Sequence, residues 1–254
     1  MDVLARIRVA GRQIDVGVAT THAEREAVLA QRFRIYQRRG YYQPGLTNDR
    51  DEYDDRVVYV LAKLRRCRAT SAIVGSTRFV VGEDRVGFTF PAQNAFEVHL
   101  PEALSAFPAR QCGEITRVVS ERAAGLGLGG LVTPLGLIQA VSLYSQRHDI
   151  RSGLALVKQR FFRTLTSAGV LLHELAAARV IYPAGGPVWP YFYCHPDPVV
   201  PIYWLVAETA PTIERAIARY VERQSPAPTR LEESTRNDHE SATDRQPAGR
   251  DQEF

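Results

Sequence analysis

One short stretch of the chain carries residue types and a spacing that suggest chemistry. Glu114 and Arg117 form a Glu-x-x-Arg pair on a predicted strand. The loop that follows contains Arg122, Gly125 and Gly127 as Arg-x-x-Gly-x-Gly and leads into an apolar helix. A strand that passes through a glycine-rich turn into a helix points backbone N–H groups at an anion. The stretch therefore predicts acyl or phosphoryl chemistry on a charged small molecule.

The glycines of this loop have two other interpretations. With Gly130 they also spell G-x-G-x-x-G, the dinucleotide fingerprint. That motif opens a βαβ unit and needs an acid at the end of the second strand. Here a long segment of predicted hairpins precedes the loop, and the next acid, Asp149, comes before the following strand. The glycines can also serve only a tight turn and close helix packing.

A second set of charged residues suits an acceptor that carries both an ammonium and a carboxylate. Such a molecule needs acids at one end and an arginine fork at the other. The candidate acids are Asp51, Asp54 and Glu114, and the candidate bases are Arg32, Arg78 and Arg117. The competing interpretation is a solvated loop for residues 51–55 and strand-edge salt bridges for Arg78 and Arg117. Charges inside apolar β-rich runs favour the site, because unpaired buried charge is costly.

The order of these residues resembles the signature of GNAT-superfamily acyltransferases. The resemblance is to acyl-homoserine-lactone synthases and to N-acyl amino acid synthases with their exosortase-associated relatives. It covers about residues 24–127 and consists of Arg32-x-x-x-Tyr36, Tyr42, Asp51-x-x-Asp54, Gly75-x-x-Arg78, Glu114-x-x-Arg117 and Arg122-x-x-Gly125-x-Gly127. Lactone synthases usually carry Phe and Trp where this chain has Tyr36 and Tyr42, so both tyrosines favour the amino acid synthase branch. Residues 188–192 also resemble a late strand of that branch.

The resemblance implies transfer of a fatty acyl group from a thioester to the amine of an amino acid or a related small molecule. It implies catalytic roles for Glu114 and Arg117, with Glu114 taking the amine's proton directly or through water. The implied acceptor-binding residues are Arg32, Tyr36, Tyr42, Asp51, Asp54 and Arg78. The implied acyl-donor-binding residues are Arg122, Gly125 and Gly127.

The implied donor is acyl carrier protein, although the glycine loop suits coenzyme A equally well. No permanently bound cofactor and no metal is expected. Family members often place a Tyr acid on the helix after the acyl-donor strand, but here that helix offers Phe161 and Phe162, so no general acid is assigned. The alternatives are a lactone synthase that uses S-adenosylmethionine and a non-catalytic acyl-binding module.

The elements that must position these residues form one α/β domain over residues 1–224, GNAT-like, with a mixed, mostly antiparallel sheet flanked by helices. A capping box at Thr21 and Glu24 opens the first helix, which Gly40 ends. The predicted strands are 3–9, 13–19, 57–64, 73–81, 114–120, 153–157, 170–182 and 188–194. The predicted helices run to about Arg39, near 101–107, to about Arg147, over 158–168 and over 211–223.

Composition limits the class of protein further. The 254 residues are 45% hydrophobic, which is enough for one substantial core. The three cysteines form no C-x-x-C, and residues 1–20 lack the apolar core of a secretory signal, so a cytoplasmic protein is expected. Residues 123–146 carry no charge, but their glycines, Pro134 and polar side chains favour a buried helix over a transmembrane one.

The net charge of +4 is unevenly distributed. Residues 225–254 contain four arginines and seven acids with almost no large apolar residues, so a disordered tail is expected there. The remaining body is basic, which suits an acidic protein partner. No dense basic run alternates with aromatic residues, which argues against nucleic acid.

Overall fold

One large sheet with helices on both faces organises the chain. The computed structural model describes residues 1–65, 71–97, 99–121, 130–175 and 178–224. The strands found there are β1 Asp2–Val9, β2 Arg12–Val18, β3 Val58–Arg65, β4 Ser71–Val81, β5 Phe96–Glu97, β6 Cys112–Ser120, β7 Ser152–Lys158, β8 His173–Glu174, β9 Arg179–Val180 and β10 Val199–Leu205. Eight of them form the main sheet in the order β1-β2-β3-β4-β6-β7-β10-β8, and β5 pairs with β9 apart from it.

Helices connect these strands and cover the sheet. They are α1 His22–Arg38, α2 Pro91–Ala95, α3 Glu102–Ser105, a 3-10 turn at Ala109–Gln111, α4 Val132–Arg147, α5 Gln159–Ser167, α6 Trp189–Tyr193 and α7 Val206–Gln224. Helices α4 and α7 cover one face of the sheet and enclose the largest core cluster. Helices α1 and α2 lie over the opposite face, where two smaller apolar clusters form.

The first helix begins and ends where its sequence predicts. The Thr21 side chain accepts a hydrogen bond from the Glu24 N–H, and the Glu24 carboxylate accepts one from the Thr21 N–H. This reciprocal capping satisfies N–H groups that the first turn leaves open. Gly40 follows the helix with φ +66°, a left-handed conformation that costs glycine little.

Among the strand pairs of the described residues, only β6 and β7 run parallel, and α4 lies between them in the chain. All other pairs in the main sheet are antiparallel, so the predicted mixed, mostly antiparallel fold is confirmed. The parallel pairing ends at Ile115 and Ala155, although β6 continues to Ser120 and β7 to Lys158. The two strands therefore open a gap in the middle of the sheet.

The segment after Gly169 differs from its prediction. The strand expected over 170–182 is limited to β8 and β9, and the strand expected over 188–194 is the short helix α6. Its aromatic residues gave a strand-like pattern, but Pro190 stands in the first turn, a position that favours a helix start. The resemblance of residues 188–192 to a late strand is therefore wrong. The later strand is β10, an apolar run that contains Pro201.

Several predicted features lie outside the described residues. These are the hairpin turn at 66–70, the loop at 122–129 with Arg122, Gly125 and Gly127, and the tail at 225–254. None of the described helices is long and apolar enough to cross a membrane.

Candidate active site

A bulge in β6 directs Arg117 to the face of the sheet that α1 and α2 cover. The register against β4 shifts between Ser76 and Arg78, because two residues of β6, Arg117 and Val118, stand opposite one. Arg117 has φ +58°, a conformation that non-glycine residues rarely adopt. Thr116 and Arg117 therefore point to the same face, whereas regular alternation would separate them. Strain of this kind is typical of functional sites.

Six charged side chains meet on this face and form the Arg–Asp cluster: Arg32, Arg78, Arg117, Asp49, Asp51 and Asp54. Arg78 Nη1 lies 2.6 Å from Asp51 Oδ1 and 3.1 Å from Asp54 Oδ1. Arg117 Nη1 lies 3.2 Å from Asp49 Oδ1, and Nη2 lies 3.6 Å from Asp51 Oδ2. The structure thus brings the candidate arginines and aspartates of the sequence into one cluster.

Arg32 completes the cluster from α1. It pairs with Asp49, and its Nη2 donates to Asp54 Oδ2 at 3.1 Å. Tyr59 also donates to Asp54 Oδ1 at 2.7 Å. Burial alone would raise the pKa of Asp54, but Arg32 and Arg78 outweigh that effect and hold it well below its usual range. Asp49 and Asp54 are therefore buried in the cluster, whereas Arg50, Glu52 and Asp55 of the same loop are exposed to solvent.

Asp49 was missing from the sequence-based site. It follows a turn-forming Asn48 and belongs to none of the recognised pairs, so only its contacts with Arg32 and Arg117 reveal it. Its side chain is buried together with theirs. Removing one partner from such a pair leaves an uncompensated buried charge, so the cluster depends on every member.

Glu114 lies beside the cluster but deeper in the fold. Its side chain is fully buried, Oε2 accepts the Ala92 N–H of α2 at 2.8 Å, and Oε1 has no hydrogen-bond partner among the described residues. Burial, with Asp51 nearby, raises the pKa of Glu114 to about 8, against the effects of Ala92 and Arg78. Glu114 does not line the cavities described below, so it contacts the site through its neighbours.

A cavity of about 270 Å³, the acceptor cavity, lies against the cluster. Asp49, Asp51, Arg78 and Arg117 supply its charged wall. The rest of the lining is mostly aromatic and apolar, with contributions from Tyr36, Leu46, Tyr53, Tyr182, Val188, Tyr191 and Phe192. Charged groups beside aromatic ones fit a small zwitterion with an apolar side chain.

The two predicted acceptor tyrosines differ in position. Tyr36 lines the acceptor cavity, and the guanidinium of Arg117 lies 5.4 Å from its ring centroid. Tyr42 lies behind it, stacked on Phe33 at 5.5 Å and 5.3 Å from Tyr36, and does not line the cavity. Burial, together with the nearby Asp49, raises the pKa of Tyr42 well above its usual value. Tyr42 therefore packs against Tyr36 and does not contact the cavity itself.

A larger cavity of about 610 Å³, the donor cleft, occupies the gap between β6 and β7. It shares Tyr36, Arg117, Leu156 and Tyr191 with the acceptor cavity, so the two spaces meet at these side chains. Ser120 and Pro134, which flank the glycine loop in sequence, also line the cleft.

The donor cleft continues into the apolar core under α4 and α5. A narrow cavity there is lined by side chains that include Ile138, Ala155, Leu165 and Trp204, without exposed polar surface. It shares Ile115, Val118, Val157 and Phe161 with the donor cleft. At about 20 Å³ this cavity has room for little more than a water-sized group, so an apolar chain in the cleft meets it without entering far.

Lys158 is a second residue that the sequence did not single out. It ends β7, lines the donor cleft and contacts Tyr41 and Tyr191. In the described part of the chain, no group of three or more His, Cys, Asp or Glu residues is arranged to hold a metal ion.

Comparison with solved structures gives the fold class. The chain has the GNAT-like fold that the sequence resemblance implies. It is similar to the CoA-dependent acyl-homoserine lactone synthase MesI, at 19% identity and TM-score 0.51 over 84% of this chain and 97% of that one. It is also similar to the acyl-homoserine lactone synthase LasI, at 15% identity and TM-score 0.51 over 85% and 98%.

The third structure represents the other branch. FeeM, an N-acyl amino acid synthase from uncultured soil microbes, is similar at 11% identity and TM-score 0.51 over 79% of this chain and 95% of that one. No protein-family model matches the sequence, and no curated protein matches it. At these sequence identities the likeness is one of fold, and it confirms the fold that the sequence resemblance implies.

Proposed function

We propose that this protein is an N-acyltransferase that moves a fatty acyl group from a thioester to the amine of an amino acid. The observation that carries the proposal is the meeting of the acceptor cavity and the donor cleft at Tyr36, Arg117, Leu156 and Tyr191. One space is charged and aromatic, and the other opens between two strand edges and leads to an apolar cavity. A nucleophile and an acyl group bound in these spaces come together at the shared residues, which supplies the proximity that acyl transfer needs.

The opened strands suit the donor. Because β6 and β7 stop pairing after Ile115 and Ala155, the facing edges of residues 116–120 and 156–158 are open to a bound group. A backbone N–H at such an edge donates to the thioester oxygen and stabilises the oxyanion that forms when the amine attacks. The acyl chain then lies along the donor cleft past Val118 and Val157, where the cleft meets the small apolar cavity under α4 and α5.

The acceptor cavity favours an amino acid. Asp51 holds the ammonium group before it is deprotonated, and Arg117 holds the carboxylate. Both side chains already line the cavity, and an ion pair with Arg78 holds Asp51 in place. At about 270 Å³, the cavity is below the range of roughly 300–1,000 Å³ for drug-sized ligands. This size suits an amino acid better than S-adenosylmethionine, which carries a nucleoside as well.

Glu114 is the proposed acceptor of the amine's proton. It is the buried carboxyl next to Asp51 and Arg78, and its unpartnered Oε1 leaves one oxygen free to accept a hydrogen bond. A pKa of about 8 lies near that of an amine and near working pH, as a general base requires. Since the Glu114 side chain does not line the cavity, the proton reaches it through water.

The proposed donor is acyl carrier protein, with acyl-coenzyme A as the alternative. The exposed side chains of Arg39, Arg160 and Arg163 line the donor cleft, and none of them pairs with a carboxylate in the described ranges. A basic rim attracts an acidic carrier, and it also suits the phosphates of coenzyme A. The rim therefore supports either donor, and the carrier-protein assignment rests on the family resemblance.

The proposal is tested by product analysis of the purified chain. Decanoyl-coenzyme A and a decanoyl acyl carrier protein are each incubated with the twenty standard amino acids or with S-adenosylmethionine, and products are identified by mass spectrometry. We expect N-decanoyl amino acids, a loss of at least a hundredfold in Arg117→Ala, and no loss in Arg179→Ala, whose side chain pairs with Glu97 at the surface. Decanoyl-homoserine lactone would favour the lactone synthase instead. Absence of any product, with donor binding retained, would favour a non-catalytic acyl-binding module.

A further inference from the structure

Lys158 lines the donor cleft beside Leu156 and Tyr191, two of the residues at which the cleft meets the acceptor cavity. Side chains alternate along β7, so Lys158 points to the same face as Leu156, which lines both the donor cleft and the acceptor cavity. Its Nζ donates to the Tyr191 carbonyl at 2.5 Å, and it lies 4.2 Å from the Tyr191 ring centroid and 5.4 Å from that of Tyr41. Only 8% of the residue is exposed, and that part faces the cleft.

We propose that Lys158 is the general acid that protonates the departing thiolate of the acyl donor. This inference rests on the proposed acyltransferase function and assigns the proton donor that the aromatic start of α5 does not supply. Tyr191 lines both the donor cleft and the acceptor cavity. Its backbone carbonyl accepts a hydrogen bond from the Lys158 ammonium group. An acid anchored there is adjacent to the bond that breaks.

The proton balance is complete. The neutral amine attacks the thioester carbonyl, a C–N bond forms, and the carbonyl oxygen takes up negative charge. The amine nitrogen loses a proton to Glu114 through water. When the oxyanion collapses, the C–S bond breaks, and the thiolate takes a proton from Lys158 to leave as the free thiol. Glu114 then returns its proton through solvent to Lys158, so that amide and thiol are the only products.

The surroundings of Lys158 tune it for this role. Burial lowers the pKa of Lys158 to about 8, and Asp197 only partly offsets the effect. The other titratable or charged groups that line the same cleft are Tyr36, Arg39, Tyr41, Arg117, Arg160, Arg163, Tyr191, His195 and Asp197. A thiol has a pKa of about 8.5, so an acid with a pKa near 8 transfers its proton without a large energetic penalty.

The amino-acid usage of the chain gives independent support. Lys63 and Lys158 are the only lysines among the 32 basic residues. Arginine keeps its proton at all physiological pH values, whereas a buried lysine releases it readily. Lys63 forms an ion pair with Glu24 at 2.7 Å on the outer part of the sheet. Lys158 is thus the cation in the cleft that can act as an acid, among arginines that only bind anions.

The test varies the leaving group. Lys158→Met, Lys158→Arg and the matched control Lys63→Met are compared with the unmodified protein on decanoyl-coenzyme A and on the decanoyl thioester of thiophenol. The acceptor is the amino acid that the unmodified protein acylates best, and the uncatalysed reaction is subtracted. Thiophenolate is a good leaving group that needs no proton. We expect Lys158→Met and Lys158→Arg to lose about a hundredfold or more in kcat with decanoyl-coenzyme A, but less than about tenfold with the aryl thioester.

The outcomes separate the acid from other roles. Full activity of Lys158→Arg with decanoyl-coenzyme A, or an equal loss of both Lys158 variants on both donors, would overturn the proposal and indicate electrostatic binding or a structural role. Circular dichroism and melting curves establish that the variants fold. In the unmodified protein, kcat with decanoyl-coenzyme A should fall as the pH rises above about 8, and this decline should be absent with the aryl thioester. If the unmodified protein acylates nothing from either donor, the proposed function itself fails; normal turnover with unaffected Lys158 variants refutes only the assignment of the acid.

Discussion

Arg117 Nη1 reaches within 3.2 Å of Asp49 Oδ1 because the bulge in β6 turns its side chain onto the face that carries Glu114 and Thr116. In a regular strand, the third residue after Glu114 would point to the other face of the sheet. The positive φ of Arg117 is therefore the local distortion that assembles the Arg–Asp cluster. The bulge lies just beyond Ile115, where the pairing of β6 with β7 ends.

Replacing Arg117 by glycine or by alanine separates the cost of the distortion from the role of the side chain. Both variants lose the guanidinium, so both should lose acyl transfer to about the same extent. Glycine adopts φ +58° without the penalty of about 1 kcal/mol that a Cβ carries there. Urea unfolding should therefore show Arg117→Gly to be more stable than Arg117→Ala by about 1 kcal/mol. Equal stabilities would mean that the bulge relaxes once the side chain is gone.

Asp49→Asn tests the residue that the sequence did not reveal. The substitution removes the carboxylate shared by Arg32 and Arg117 and leaves them only Asp54 and Asp51 as partners, so we expect a loss of about 3 kcal/mol in the free energy of unfolding. Misplacement of Arg117 should also raise the KM for the amino acid. Glu97→Gln, which breaks an exposed ion pair with Arg179, is the control and should change neither quantity. An Asp49→Asn protein with normal stability and KM would show that the cluster tolerates the loss.

Local sequence signals predicted part of this fold, whereas features that depend on contacts between distant segments carried no such signal. Apart from α2 and β5, which were not predicted, the order of strands and helices up to α5 follows from periodicity and caps, such as the Thr21–Glu24 box, because these signals are local. The bulge at Arg117 has no such signal, since the residue is not glycine. The burial of Asp49 and Glu114 likewise depends on α2 and the loop at 41–55, which fold back over the sheet from distant parts of the chain. In α6, a local aromatic pattern suggested a strand, and tertiary packing overrode it.

Glu114→Gln should change how stability depends on pH. The folded pKa of Glu114 is about 8, above the value of 4.5 expected for a free glutamate, so its contribution to stability is full below pH 4.5 and is lost as the pH rises toward 8. Glutamine does not ionise. The free energy of unfolding of the variant, relative to the unmodified protein, should therefore rise by up to about 1.4 kcal/mol per pH unit in this window. Urea titrations at pH 5, 6.5 and 8 measure the trend, and a constant difference would contradict it.

Ile138 provides a test of the route for the acyl chain. It lines the apolar cavity from α4, and Ile138→Ala should enlarge that cavity and shift the preferred donor to a longer acyl chain. Ile138→Phe should shift the preference to a shorter one. The alanine variant should lose about 2–4 kcal/mol in stability, because it removes buried methyl groups. Competition among acyl-coenzyme A donors of different chain length measures the shift, and an unchanged preference in both variants would place the acyl chain elsewhere.

The basic rim of the donor cleft leads to the last prediction, which concerns the carrier. Arg160 and Arg163 are exposed on α5 at the cleft, and charge reversal of both should raise the KM for decanoyl acyl carrier protein by roughly tenfold. Added salt should have the same effect on the unmodified protein, since it screens exposed charges beyond about 10 Å at 0.1 M. Charge reversal of Arg215 and Arg223, both exposed on α7 and outside the cleft lining, changes the net charge by the same amount and is the control. If charge reversal affects decanoyl-coenzyme A as strongly as the carrier protein, the arginines bind the phosphates that both donors share. If only the carrier protein is affected, they bind the acidic protein surface, as its assignment as donor requires.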